Sequence, residues 1–129
     1  MKAFLAIKYY EDMRNKNLIE SICQSFESQN IEMFAFARDI QKYGPCNLTE
    51  KETVEIAFEK IKSSDVFIID ASELSIGIGI ETGVAYSNNI PIYLVANKEA
   101  YVSNFIKGVA KKSYFYSLPQ ELSGWNIFD

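Results

Sequence analysis

The stretch Ser64–Val95, SDVFIIDASELSIGIGIETGVAYSNNIPIYLV, decides how the rest of the chain is read. Val66-Phe67-Ile68-Ile69 is a continuous apolar run ending at Asp70, which predicts a strand covered on both faces. Ile92-Tyr93-Leu94-Val95 repeats that pattern after the turn Asn88-Asn89-Ile90-Pro91. Between the two, Gly77 and Gly79 read as a loop of tight backbone geometry, with Glu81 in the first turn of a short helix. A carboxylate just beyond the carboxyl end of a buried strand sits where open α/β sheets bind ligands. Glu81 and Asp70 are therefore the first candidates for chemistry.

Working outward, the same alternation continues. Lys2 to Ile7 is a first strand, and Leu18, Ile19, Ile22, Cys23 and Phe26 follow at helical spacing. That helix should stop near Ser28-Gln29-Asn30, with Asn30 as a left-handed cap, before a second strand over Ile31 to Ala37. Arg38 to Thr49 contains the turn signal Tyr43-Gly44-Pro45 and reads as a loop over one edge. Thr49 and Glu52 form a capping-box pattern ahead of a helix whose apolar stripe is Val54, Ala57, Phe58 and Ile61. Beyond Val95, Tyr101 to Ala110 reads as helical, Ser113 to Ser117 as an aromatic strand, and Leu118 to Leu122 as a brief terminal helix.

Strands alternating with helices imply parallel pairing through right-handed crossovers. Five strands in 129 residues predict one α/β domain, a flavodoxin-like three-layer sandwich with a five-stranded parallel sheet of order 2-1-3-4-5. The carboxyl ends of strands one, three and four then meet at the switch point. Lys8, Tyr9, Tyr10, Asp70 to Ser75 and Asn97 are expected to line one crevice there, where the tyrosine faces are placed to stack on a base.

Composition narrows the chemistry. Apolar residues make up 48% and charged residues 23%, ordinary for a globular protein. A net charge of -4 argues against nucleic acid, which demands a basic face. No apolar run reaches the roughly 20 residues of a membrane span, so no membrane partner is expected. Cys23 and Cys46 are too few for a disulfide framework and read as free thiols of a reducing cytoplasm. The chain has no histidine, which removes Ser-His-Asp triads, Cys-His pairs and most zinc sites together. Carboxylates, hydroxyls, lysines and backbone dipoles remain, and no metal or other cofactor is called for.

Ser75-Ile76-Gly77-Ile78-Gly79-Ile80-Glu81-Thr82-Gly83-Val84-Ala85 resembles the S-x-G-x-G-x-E-x-G-x-A segment of the nucleoside 2-deoxyribosyltransferase superfamily, and most closely its 2'-deoxynucleoside 5'-phosphate N-hydrolases. Val102 to Ala110 (VSNFIKGVA) resembles the hydrolases' L-S-x-M-I-R-G-x-A segment at the matching separation. The likeness spans about Ser64 to Tyr116. It implies N-glycosidic chemistry on a small nucleoside or nucleotide: the glutamate matching Glu81 attacks the anomeric carbon, and water or a second base resolves the glycosyl ester. On this reading the helix dipole keeps Glu81 ionised, and Gly77 and Gly79 let the sugar approach the backbone. The serine matching Ser75 helps hold a 5'-phosphate, and the one matching Ser103 does so from the neighbouring subunit, which implies a homodimer with composite sites.

The chain also departs from that pattern. Ile7-Lys8-Tyr9-Tyr10-Glu11-Asp12-Met13 stands where the hydrolases carry a G-S-I-R-G-G-R-like phosphate loop, leaving Lys8 as the one positive charge. The family's aspartate that assists the leaving base falls on Ala57, with Glu55 and Glu59 nearby on the same helix. These departures keep open a second reading, a non-catalytic nucleotide-binding or sensing module of the same fold.

Overall fold

The computed structural model describes residues 1–128. Strands β1 (Lys2–Ala6), β2 (Glu32–Ala35), β3 (Val66–Asp70), β4 (Ile92–Asn97) and β5 (Lys112–Tyr116) form one sheet of order β2-β1-β3-β4-β5, parallel throughout. Helices α1 (Lys16–Glu27), α2 (Phe36–Asp39), α3 (Glu50–Lys62), α4 (Ile76–Ser87) and α5 (Asn104–Val109), with a 3-10 helix over Pro119–Gly124, complete the chain. The expected α/β sandwich and its strand order are both present.

The sheet has a core on each face because successive side chains of a strand point to opposite sides. Ala3, Leu5, Val66, Ile68, Tyr93 and Val95 meet Ile19, Ile22, Cys23 and Phe26 of α1 on one side. Phe4, Ala6, Phe67, Ile69, Ile92 and Leu94 meet Ala57 and Ile61 of α3 and Ile78 and Ala85 of α4 on the other. Phe4 pairs with Phe67 in register across β1 and β3, and their rings stack at 5.5 Å. A strand buried on both faces must be apolar at every position, which is why Val66–Ile69 shows no alternation.

Local signals hold where they are strongest. Asn30 takes the left-handed conformation at φ 63° after α1. The Thr49 side chain accepts from the Glu52 backbone N–H at 3.1 Å, and Glu52 accepts from the Thr49 N–H at 3.0 Å. The second strand is shorter than the apolar run Ile31–Ala37 predicts. It stops at Ala35, where the Asp39 carboxylate accepts the Ala35 N–H at 2.9 Å and turns the chain into α2. The run is apolar because Phe34 and Phe36 pack under α3, not because it stays extended.

Two corrections fall in the central stretch. Gly77 and Gly79 are not in a loop: α4 already begins at Ile76, and neither glycine has a positive φ. Glu81 accordingly lies in the second turn of α4, not the first. Ser75 is the N-cap, its hydroxyl facing the Ile78 N–H at 3.4 Å.

Candidate functional site

A cavity of about 440 Å³ opens beside the carboxyl end of β1, between the segment after β1, the α2 segment, α3 and the start of α4. Its walls are mostly apolar, with Phe4, Leu5, Ile7, Met13, Phe36, Val54, Ala57, Phe58, Ile78 and Ile80 among them. Among the described residues Glu81 is the only carboxylate in that lining and Lys8 the only cation. Tyr9, Tyr10, Ser75 and Gly77 also face it, so of the expected crevice Lys8, Tyr9, Tyr10 and Ser75 come together here.

Glu81 is half-buried and has no hydrogen-bond or ion-pair partner among the described residues. Burial alone pushes its carboxyl from an ordinary 4.5 up to about 7. Desolvation penalises the charged form, and nothing on the protein compensates it. Helix-dipole stabilisation fades beyond the first turn, so the second-turn position withholds the charge stabilisation expected from α4. A carboxyl that exchanges its proton near neutrality inside an apolar cavity is suited to react with a bound molecule.

Asp70 is placed differently. It is 1% exposed and accepts from the Tyr116 hydroxyl at 2.8 Å and the Ser72 N–H at 2.9 Å. The Ser72 hydroxyl lies 3.1 Å from Tyr116 Oη and accepts the Asn97 N–H at 2.8 Å, so this network ties the carboxyl ends of β3, β4 and β5. Burial raises the Asp70 pKa, and the Tyr116 and Ser72 hydrogen bonds oppose that rise. Asp70, Ser72 and Glu73 border a second cavity of about 140 Å³, which shares Ile7, Lys8, Tyr10 and Asn15 with the first. The expected single crevice is thus two adjoining ones, with Glu81 in the larger and Asp70 in the smaller. Asn97 lines neither.

The remaining expected residues divide as well. Gly79 lies outside the cavity lining, on the exposed side of α4. Ser103 caps α5, its hydroxyl accepting the Phe105 N–H at 3.2 Å, and borders neither cavity. Ala57 does line the cavity, while Glu55 and Glu59 are exposed on α3 and point elsewhere; Glu55 sits 3.8 Å from Lys51. No carboxylate therefore joins Glu81 from α3. Among the described residues no three Cys, Asp or Glu side chains gather closely enough to hold a metal ion.

Two wall residues were not foreseen. Asn15 Oδ1 and Gln41 Oε1 are buried polar atoms without a partner, and both residues line the larger cavity. Such acceptors are normally satisfied, so each is a point for a ligand's N–H or O–H. Gln41 is carried there by an irregular segment: Lys42 and Tyr43 both take positive φ, at 52° and 58°. Tyr43 is anchored by its hydroxyl, which donates to Glu20 at 2.6 Å, and by its N–H to Ala37 at 2.8 Å. A loop whose shape depends on contacts with α1 leaves no local pattern to read.

No protein-family model and no curated protein matches the sequence. Among solved structures, a CMP N-glycosidase from Clostridium botulinum superposes with a TM-score of 0.69 at 21% identity, over 96% of this chain and 96% of that one. A 2-deoxyribosyltransferase from Bacillus psychrosaccharolyticus gives a TM-score of 0.76 at 14% identity, over 99% and 94% of the two chains. A conserved protein from Enterococcus faecalis V583 gives 0.69 at 18% identity, over 96% and 95%. These likenesses establish the fold, and the chain shares it with a CMP N-glycosidase and with a 2-deoxyribosyltransferase, the kind of enzyme its Ser75–Ala85 segment resembles.

Proposed function

We propose that this protein is an enzyme that cleaves or exchanges the N-glycosidic bond of a nucleoside or nucleotide, with Glu81 as the nucleophile. The observation that carries the reading is Glu81 itself: among the described residues the single carboxylate of an apolar cavity, unpaired, and poised near neutrality. The resemblance of Ser75–Ala85 and the shared fold support it.

In the first step a Glu81 carboxylate oxygen bonds to the anomeric carbon. The bond to the base breaks with its electron pair, and the base nitrogen takes a proton from solvent. In the second step water attacks the anomeric carbon, frees the carboxylate and gives up a proton. A second base attacking in place of water makes the reaction a transfer. The apolar walls lower the polarity around the ester while leaving it open to the water that resolves it, and Gly77 keeps one wall free of side chain beside the sugar. Tyr9 and Tyr10 flank the mouth as stacking surfaces, and Asn15 and Gln41 offer acceptors to base or sugar. Asp70 acts through the β3–β4–β5 network, holding Ser72 and Tyr116 beside the neighbouring cavity.

The helix that carries Glu81 also supports a homodimer. α4 is apolar nearly all round, yet Ile76 is 85% exposed, and Ile80 and Tyr86 stand in the open beside it. A helix apolar on every side is ordinarily buried on every side. Tyr101 and Phe105 at 89% exposure flank Ser103, a second apolar surface for the partner copy, whose Ser103 we propose to complete the site. Cys23 is buried and both cysteines are free, which fits the reducing cytoplasm where we place the protein.

The test is incubation with deoxynucleosides, ribonucleosides and their monophosphates, with and without an added acceptor base, followed by chromatography of free base. Base release is expected, and Glu81→Gln should lower it by about three orders of magnitude or more, as for a lost nucleophile. Tight nucleotide binding that Glu81→Gln leaves unchanged, with no turnover of any substrate, identifies a binding module instead.

A further inference from the structure

Helices α3, α4 and α5 each start on a side chain that caps them: Thr49, Ser75 and Ser103. Helix α1 starts on Asn15, and asparagine is among the strongest capping residues, yet this side chain makes no cap hydrogen bond. Its Nδ2 donates instead to the Lys8 carbonyl at 2.9 Å, back across the loop from β1. That bond settles which way the amide faces. Oδ1, an acceptor only, is left over, buried and without a partner among the described residues. Giving up a cap and stranding a buried acceptor both lower stability, and neither gains anything inside the fold. Local rules broken in this way gather at functional sites.

The position of Asn15 indicates what the acceptor is for. It lies at the border of the two cavities and lines both, as Lys8 and Tyr10 do. The smaller cavity continues from this border to the polar groups of Asp70, Ser72 and Glu73. The walls that α2 and α3 give the larger cavity, Phe36, Val54, Ala57 and Phe58, are apolar. A nucleoside has the same two halves: a flat base that packs against apolar walls, and a sugar whose hydroxyls need acceptors once they leave water.

We infer that Asn15 binds the sugar: its Oδ1 accepts a sugar hydroxyl and so holds the anomeric carbon toward Glu81. The proposal rests on the glycosidic reading of the Glu81 cavity for what occupies it, and adds how the sugar is oriented there. Because the Lys8 carbonyl already fixes the amide, the acceptor is in place before the ligand arrives.

A cycle between side chain and ligand tests this. Calorimetric titration of the Glu81→Gln chain, with and without Asn15→Leu, uses a 2'-deoxynucleoside, its 2',3'-dideoxy and 2',5'-dideoxy analogues, and the free base. With Asn15 present, loss of one of the two hydroxyls is expected to weaken binding about tenfold, because the acceptor is stranded again. Asn15→Leu should weaken the 2'-deoxynucleoside about tenfold too, and change that analogue and the free base about twofold or less, so that residue and hydroxyl are coupled. Asn15→Ser, a capping residue too short to reach the hydroxyl, should behave in the same way. Both variants should melt within about 3 °C of the parent, since removing a stranded acceptor offsets the lost bond to Lys8. No loss from either missing hydroxyl, or a loss that persists undiminished in both variants, overturns the proposal. Weakening of the free base as much as of the nucleoside places Asn15 on the base and overturns it equally. If the coupling holds while the unsubstituted chain releases no base from any substrate, the glycosidic reading fails and the sugar contact stands. Binding of none of these ligands overturns both.

Discussion

Glu81 sets the terms of the site at the scale of one residue. Its carboxyl titrates near 7 because burial removes water and no donor replaces it. Between pH 4.5 and 7 the folded chain keeps a proton that the unfolded chain has lost, so this group's effect on stability is unfavourable and grows as pH rises through that window. The full cost above pH 7 is about 3.5 kcal/mol at most, at roughly 1.4 kcal/mol per unit of displacement, and less where solvent screens the half-buried group. Glu81→Gln removes the charge while keeping the shape. The variant should therefore be more stable than the parent at pH 8, by on the order of 1–3 kcal/mol, and nearly equal to it at pH 4.5. Urea unfolding at the two pH values reads the gap directly, and a gap that fails to widen with pH would show that Glu81 is solvated. Asp70 illustrates the opposite management of a buried acid: hydrogen bonds from Tyr116 and Ser72 hold it in place.

α4 shows how one element carries conflicting demands. Gly77, Gly79 and Gly83 lie within a twelve-residue helix, where each costs about 1 kcal/mol relative to alanine. Packing does not require them: a Cβ on Gly77 would meet Ser75 Oγ at 3.9 Å, and one on Gly79 would meet nothing within 4 Å. Gly77→Ala and Gly79→Ala should each stabilise the isolated fold by about 0.5–1 kcal/mol. Their effects on base release should differ, because Gly77 lines the cavity and Gly79 does not. Gly77→Ala is expected to lower kcat/KM severalfold and Gly79→Ala to leave the binding of nucleoside in the cavity unchanged. Paired thermal melts and steady-state kinetics on the two variants decide this; equal kinetic losses would remove the role given to Gly77. The element was legible from its pattern, but its start was not. Ser75 caps the helix two residues before Gly77, so Gly77 and Gly79, which look like loop formers, sit at its first turn.

At the scale of the whole molecule, the exposed apolar surface is where the homodimer we propose would close. Ile76, Ile80, Tyr86, Tyr101 and Phe105 stand exposed on α4 and around α5, while β3 and all of β4 but Asn97 are buried. Burying a large apolar side chain is worth about 1.5–3 kcal/mol, enough for a few such residues to hold two copies together at micromolar concentration. Ile76→Asp should convert a dimer to a monomer in sedimentation velocity, with the far-UV spectrum unchanged. A parent chain that sediments as a monomer at all concentrations would remove the composite site. Among the described residues no helix is long and apolar enough to cross a membrane, so this surface is not a span.

The sequence by itself determined the sheet and pointed to Glu81, the nucleophile we propose. The unbroken runs Val66–Ile69 and Ile92–Val95 suit strands covered on both faces, the alternation with helical stripes implies parallel pairing, and the order 2-1-3-4-5 that it suggested is the one observed. The Ser75–Ala85 pattern singled out Glu81 by its frame alone. Tertiary structure decided the rest, because those properties arise between segments distant in the chain. The parting of Asp70 from Glu81 into adjoining cavities depends on Tyr116, a residue 46 positions away that engages the aspartate. The seating of Gln41 depends on Tyr43 reaching Glu20, and the neutralisation of Lys8 depends on Glu73, 65 positions on. The proton affinity of Glu81 belongs here too, since it is set by how much water the surrounding walls exclude, and no local spacing encodes that quantity.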